Sequence, residues 1–379
     1  MIYFNNAATT FPKPQSVIDA VNKCLQQAPT DQFRNNTETG EIISQCKNNL
    51  AKLFHIKTPE RIFFTSGATE ALNMVIKGLN FSGKHIVTTT TEHNSVLRPL
   101  SRFIEAYNST GNKTITYVDC NSDGFVPVAD IEKNIKANTI AVIINHCSNV
   151  TGVLQDIEKI GKITRNRGVL FIVDASQSAG SVNIDVEQSN IDLLIFTGHK
   201  GLMGIQGIGG FYVRPGIKLR ATKLGGTGKD SHIINFPEDY QQYEAGTMNI
   251  PGITALNQGI KFILDTNTEK IIAKEKRLTT KLFSELNKLK NVIIYAKSAE
   301  NHGPALSFNI KGVPPGDVGY ILQHSGEYVV RTGLHCAPLI HNALNASEKG
   351  TVRVSFSFFN TEKEIDGLVK IIQQINNSR

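Results

Sequence analysis

The run Val169-Leu170-Phe171-Ile172-Val173-Asp174-Ala175-Ser176-Gln177 is followed, a short way on, by Leu193-Leu194-Ile195-Phe196-Thr197-Gly198-His199-Lys200-Gly201. Each begins as a continuous apolar stretch and then turns polar or charged. Strands buried on both faces have this look, and they belong to parallel sheets covered by helices. Similar short runs occupy 61–65, 86–88 and 140–145, with amphipathic stretches such as 95–107 and 157–167 between many of them. The alternation predicts an α/β fold with a mostly parallel sheet. Such sheets bind ligands beyond the carboxyl ends of their strands, so the chemistry is expected just after these runs.

Working outward, Val17, Val21, Cys24 and Leu25 share one face of a helical period, as do Ile42, Ile43, Cys46, Leu50 and Leu53. The pattern changes near Gly252. A helical stretch at 253–264 leads into a charged helix at 270–289, and Lys274 to Arg277 reads as a solvated helix face. Strand candidates follow at 292–295, 305–310, 328–331 and 351–355. Thr361 with Glu364 has the spacing of a capping box and opens the last helix. The 379 residues are too many for one small core. The expectation is a large domain, 15–252, and a smaller α+β domain made of 1–14 and 253–379.

The formal charge of +7 is mild and spread out, so no nucleic-acid partner is expected; an acidic protein partner fits it as well. The N-terminus lacks a signal-peptide pattern, and no apolar run approaches the roughly 20 residues of a membrane helix. The five cysteines are far apart and form no C-x-x-C pair. Neither a disulfide framework nor a metal site is expected, and the cytoplasm is the expected compartment.

Lysine is costly to bury unless paired or neutralised, and a lysine with a depressed pKa can form a Schiff base with an aldehyde. Lys200 sits where that chemistry is expected, though Thr197–Gly201 alone reads equally well as a surface loop. Asp174 could pair with a protonated pyridine nitrogen, or merely cap the next helix. Thr65-Ser66-Gly67-Ala68-Thr69-Glu70 could be a phosphate cup at a helix start, although many helices begin this way. Neither G-x-G-x-x-G nor G-x-x-x-x-G-K-[ST] occurs, which argues against dinucleotides and nucleoside triphosphates. His93, in Glu92-His93-Asn94, could stack on a ring or move a proton, or simply be solvated. The glycines at 201, 204, 207, 209 and 210 suggest backbone packed close to something. Cys336 lies in Arg331-Thr332-Gly333-Leu334-His335-Cys336-Ala337-Pro338, where an arginine and a histidine could make it a nucleophile. The other four cysteines look structural. Arg353 is a charge inside a strand-like run and calls for a carboxylate, from the protein or from a substrate.

The order of these elements carries a resemblance. The chain is similar to fold-type I pyridoxal-phosphate enzymes of the class V aminotransferase group, and within it to the cysteine desulfurases and selenocysteine lyases. Gly198-His199-Lys200, Asp174-x-x-Gln177 and Arg331-Thr332-Gly333-x-His335-Cys336-Ala337 carry it, and it runs from Tyr3-Phe4-Asn5-Asn6 to Phe359-Asn360-Thr361.

The resemblance implies a role for each residue. Lys200 would form the Schiff base with pyridoxal 5'-phosphate and move the substrate's α-proton. Asp174 would hold the pyridine nitrogen, Gln177 and Asn149 the ring's oxygen side, and His93 would stack on the ring. Ala68, Thr69, Thr197 and His199 would hold the phosphate. Thr247 would reach the phosphate of a neighbouring subunit in a homodimer. Arg353 would bind the substrate carboxylate, with Arg331 in the same pocket. Cys336 would take sulfur from L-cysteine as a persulfide, releasing L-alanine, and pass it to an acceptor protein. The alternatives are L-selenocysteine as substrate, a class V aminotransferase or epimerase of another amino acid, and a turnover-deficient scaffold of the same fold. Two stretches depart from the family pattern, suggesting a side branch. Leu334 stands where a histidine is usual, and residues 33–38 replace an Arg-Gly-x-His element.

Overall fold

The computed structural model describes residues 1–27, 38–79, 84–107, 114–226, 232, 234, 243–346 and 348–378. Residues 33–37, part of the second departure, lie outside the described residues.

Thirteen strands are described, beginning with β1 (Ile2–Tyr3). The large sheet comprises β2 (Ile62–Thr65), β3 (His85–Thr89), β4 (Ile115–Val118), β5 (Thr139–Asn145), β6 (Leu170–Asp174), β7 (Leu193–Thr197) and β8 (Gly209–Val213). Their order is β2-β8-β7-β6-β5-β3-β4, and β8 alone runs against the rest. All five apolar runs read from the sequence are strands of this sheet. They are unbroken because both faces are buried: alternate residues enter two different cores. Val142, Ile144, Phe171, Val173, Leu194 and Phe196 face one, whereas Ala141, Ile143, Ile172, Leu193 and Ile195 face the other. Helix Ala68–Gly78 packs Leu72, Val75 and Ile76 into the second core. Helix Glu38–Phe54 packs Cys46 and Leu50 into the first.

β8 was not among the expected strands, since its glycines weaken the β signal. They are there for close approach: a Cβ at Gly209 would lie 2.7 Å from Gly67 Cα, and one at Gly210 2.3 Å from the Phe63 carbonyl oxygen.

The C-terminal region carries β9 (Val292–Ile294), β10 (Ala305–Ile310), β11 (Tyr328–Val329), β12 (Arg331–Gly333) and β13 (Thr351–Ser355). Four of them form an antiparallel sheet in the order β12-β13-β10-β9, and β11 pairs in parallel with β1. A separate core gathers Phe4, Leu278, Leu282, Phe308, Val352, Val354, Leu368 and Ile372. Thr361 caps the last helix with Glu364 in a reciprocal capping box.

Three expectations are corrected here, and the position of one expected boundary is located. The single strand expected at 328–331 is two strands in different sheets, broken at Val330, because Arg331 pairs with Arg353 while Tyr328 pairs with Ile2. The domain boundary expected at 252 falls inside helix Ile250–Thr266, whose Ile253, Leu256, Ile260 and Ile263 join the large sheet's core. In helix Gln15–Gln26, Val17 is buried but Leu25, expected on the same face, is 68 % exposed. Glu275, read as part of a solvated face, is 2 % exposed.

Candidate active site

The carboxyl ends of β3, β5, β6 and β7 converge on a cavity of about 250 Å³. Ala68, Thr69, His93, Asn149, Asp174, Gln177, Thr197, His199 and Lys200 all line it. Thus nine residues singled out from distant stretches of sequence share one hollow.

Lys200 follows β7 and is half-buried. Burial pushes its pKa down to about 8 against the pull of Asp174, with Arg353 and Arg331 lowering it further. About a tenth of the amine is therefore neutral at pH 7 and about half at pH 8, far more than for an ordinary lysine. The peptide beneath it is clamped by the N-terminal segment. The His199 carbonyl accepts from Thr10 N, Thr9 Oγ1 and Lys13 Nζ, and the Lys200 carbonyl from Thr10 Oγ1 at 2.7 Å.

Asp174 ends β6. Its Oδ1 accepts from the Ser176 amide at 2.9 Å and from the Ser176 hydroxyl. The Asp-x-Ser spacing is the sequence signal for this turn, and reading the aspartate alone missed the serine. His93 is fixed by Ser95, whose amide donates to Nδ1 at 3.0 Å. Nδ1 is therefore an acceptor and Nε2 carries the proton. Burial is the main cause that lowers the His93 pKa to about 4, so the ring is neutral. Ser95 Oγ also meets Thr69 Oγ1 at 2.8 Å, joining the ring histidine to the cup. Glu92, not singled out from sequence, is fully buried beneath these groups and pushed up to about 8 by burial.

The cup forms where helix Ala68–Gly78 starts. Gly67 supplies no capping side chain, so the first amides of the helix have no partner within it. Nearby, His199 Nδ1 is buried without a partner among the described residues.

The arginines come from the small sheet. Arg353 is 1 % exposed and stands opposite Arg331 on the neighbouring strand. Its guanidinium donates to the Asn149 carbonyl at 2.7 Å and to Asn5 Oδ1 at 3.1 Å. Burial, with Arg331 beside it, lowers its pKa to about 9.

Cys336 is the exposed cysteine of the five; Cys46, Cys120 and Cys147 are buried, and burial raises each thiol's pKa, Cys120 to about 11 and Cys147 to about 12. Its Sγ lies 3.5 Å from Arg331 Nη2. Leu334, 41 % exposed, is on the same loop. The Asn149 side-chain amide donates to the His335 carbonyl and that of Gln177 to the Ala7 carbonyl. Thr247 does not line the cavity of its own chain. It borders an adjacent hollow that shares Ser66, Glu70 and Gly207 with the cavity wall.

A mostly parallel sheet that gathers a lysine, an aspartate and a histidine at its carboxyl edge has the arrangement of an α/β enzyme site. The family model of class-V aminotransferases matches residues 2–368, and the chain belongs to that family. It is 32 % identical to a probable cysteine desulfurase of Pyrococcus abyssi, across 99 % of this chain and 94 % of that one. It is 30 % identical to the cysteine desulfurase IscS of Shewanella piezotolerans, across 100 % and 93 %. Among solved structures, the apo cysteine desulfurase of Thermococcus onnurineus NA1 is similar, with a TM-score of 0.89, 30 % identity and coverage of 100 % and 95 %.

Proposed function

We propose that this protein is a pyridoxal-phosphate-dependent cysteine desulfurase that converts L-cysteine to L-alanine and leaves the sulfur as a persulfide on Cys336. The observation that carries the reading is the exposed Cys336 thiol, set beside Arg331 on a loop hydrogen-bonded to the cavity wall. The names of the relatives support it.

The residues present fit the cofactor. The open amides at Ala68 and Thr69, together with the unpartnered His199 Nδ1 and with Thr197, suit a phosphate. Asp174, held by Ser176, suits a protonated ring nitrogen, and neutral His93 suits a ring face. Gln177 and Asn149 would meet the ring's oxygen side. When bound, pyridoxal phosphate supplies an electron sink that weakens the substrate's carbon–sulfur bond.

The protein's own groups do the rest. Arg353 and Arg331 bind and orient the substrate carboxylate. Lys200, about half neutral at its depressed pKa, would hold the cofactor by its aldehyde and is the base placed to take the α-proton. Cys336 Sγ, as thiolate, attacks the substrate sulfur. The new sulfur–sulfur bond forms as the carbon–sulfur bond breaks, and the carbon keeps the electron pair and gains a proton to give alanine. An exposed persulfide is placed for hand-over to an acceptor protein.

The reading extends to a homodimer in which Thr247 completes the partner's phosphate cup, and to the cytoplasm, where five free thiols are at home. Among the described residues no helix is long and apolar enough to cross a membrane. The test is a substrate panel of cysteine, selenocysteine, cystine and alanine with product identification. Alanine and protein-bound sulfur from cysteine are expected. Failure to turn over cysteine while another amino acid is consumed would overturn the reading.

A further inference from the structure

The Cys336 loop holds an unfavourable backbone shape. His335 and Cys336 both have positive φ, 51° and 61°, although neither is glycine. The left-handed region is unfavourable for a residue with a Cβ, so the pair persists only where surrounding contacts enforce it. One internal hydrogen bond, from Ala337 N to the Leu334 carbonyl at 3.0 Å, closes the turn. The His335 ring meets Thr351 Oγ1 at 2.9 Å, and two further anchors hold the loop's own carbonyls. The Asn94 amide donates to the Cys336 carbonyl at 2.8 Å, and Asn149 Nδ2 donates to the His335 carbonyl at 2.6 Å.

Asn149 is itself held from behind. Its carbonyl accepts from buried Arg353, and Ser148 Oγ accepts the amides of Val150 and Thr151, which fixes the turn. It is 6 % exposed and lines the cavity, so it stands between the cavity and the loop.

We infer that Asn149 is a positioning residue for Cys336: its side-chain amide holds the His335 carbonyl and thereby keeps the thiol beside Arg331 at the edge of the cavity. This rests on the reading of Cys336 as sulfur acceptor and adds to any contact Asn149 makes with the ring. It also joins the carboxylate-binding arginine to the nucleophile through one side chain, Arg353 to Asn149 to His335.

Asn149→Asp keeps the shape and removes the donor; Asn149→Ala removes both. Hydrogen exchange is measured on the full-length protein, with and without pyridoxal phosphate, with Ala337 N–H as the reporter. Both variants are expected to raise its exchange at least about 10-fold, the loss of a hydrogen bond to a strained turn, while β5, β6 and β7 stay protected. In the cofactor-free protein this readout is independent of turnover. Wild-type exchange at Ala337 in both variants would overturn the positioning role. A wild type that forms no persulfide on Cys336 would instead overturn the desulfurase reading, so the two failures are distinguishable.

Discussion

Arg331 and Arg353 face one another on adjacent antiparallel strands, and the charged or ionisable groups that bear on the Arg353 guanidinium are Arg331, Cys336 and Tyr3, with no aspartate or glutamate among them. Two like charges in register, one buried, call for an anion. A substrate carboxylate answers both. Arg353→Lys loses the forked geometry and is expected to raise KM for cysteine roughly 10- to 150-fold, corresponding to about 1.5–3 kcal/mol for hydrogen bonds to charged groups. Steady-state kinetics measure it, and kcat should change less than KM.

Lys200 sets a pH profile. Its pKa is lowered from 10.5 to about 8. The neutral amine therefore appears as pH rises through about 8 and not through 10.5. Uptake of pyridoxal phosphate by the cofactor-free protein, followed by absorbance, should speed up with pH and level off above this value. Lys200→Ala should give no borohydride-reducible linkage at any pH.

Glu275 is buried, and burial raises its pKa from 4.5 to about 8. Folding thus favours the proton-bound carboxyl. The contribution is full below about pH 4.5 and is lost as pH rises through about 8. The melting temperature should fall between pH 5 and pH 9, and Glu275→Gln should reduce that fall by a few degrees. Scanning calorimetry of both proteins checks it.

Thr247 borders a hollow next to the cup, not the cavity of its own chain. If the partner's site uses it, Thr247→Ala weakens pyridoxal-phosphate binding. A mixed dimer with Lys200→Ala in the other subunit should regain one intact site. Titration of the isolated mixed dimer should show about half the sites binding as tightly as wild type, and the unfractionated exchange mixture about a quarter.

Much of this was legible in the sequence, for a physical reason. A doubly buried parallel strand is an unbroken apolar run, so the ends of β5, β6 and β7 could be read directly, and Asp174, Thr197 and Lys200 with them. β8 was hidden because Gly209 and Gly210 trade β propensity for close approach. The burial of Glu275 was hidden because its neighbours in sequence are charged, whereas its hydrogen-bond partners, Ser181 and the Phe358 backbone, are far away in the sequence. Ser95 and Ser176 were missed because their roles are hydrogen bonds to residues already chosen.

The central claim is that Cys336 takes the sulfur. The direct measurement is incubation of wild type and Cys336→Ala with L-cysteine, counting alanine released and sulfur bound by mass spectrometry. Wild type should gain one sulfur atom on the peptide containing Cys336 for the first alanine formed, and Cys336→Ala should form neither at a comparable rate. Release of alanine and sulfide by Cys336→Ala as fast as by wild type would contradict the account.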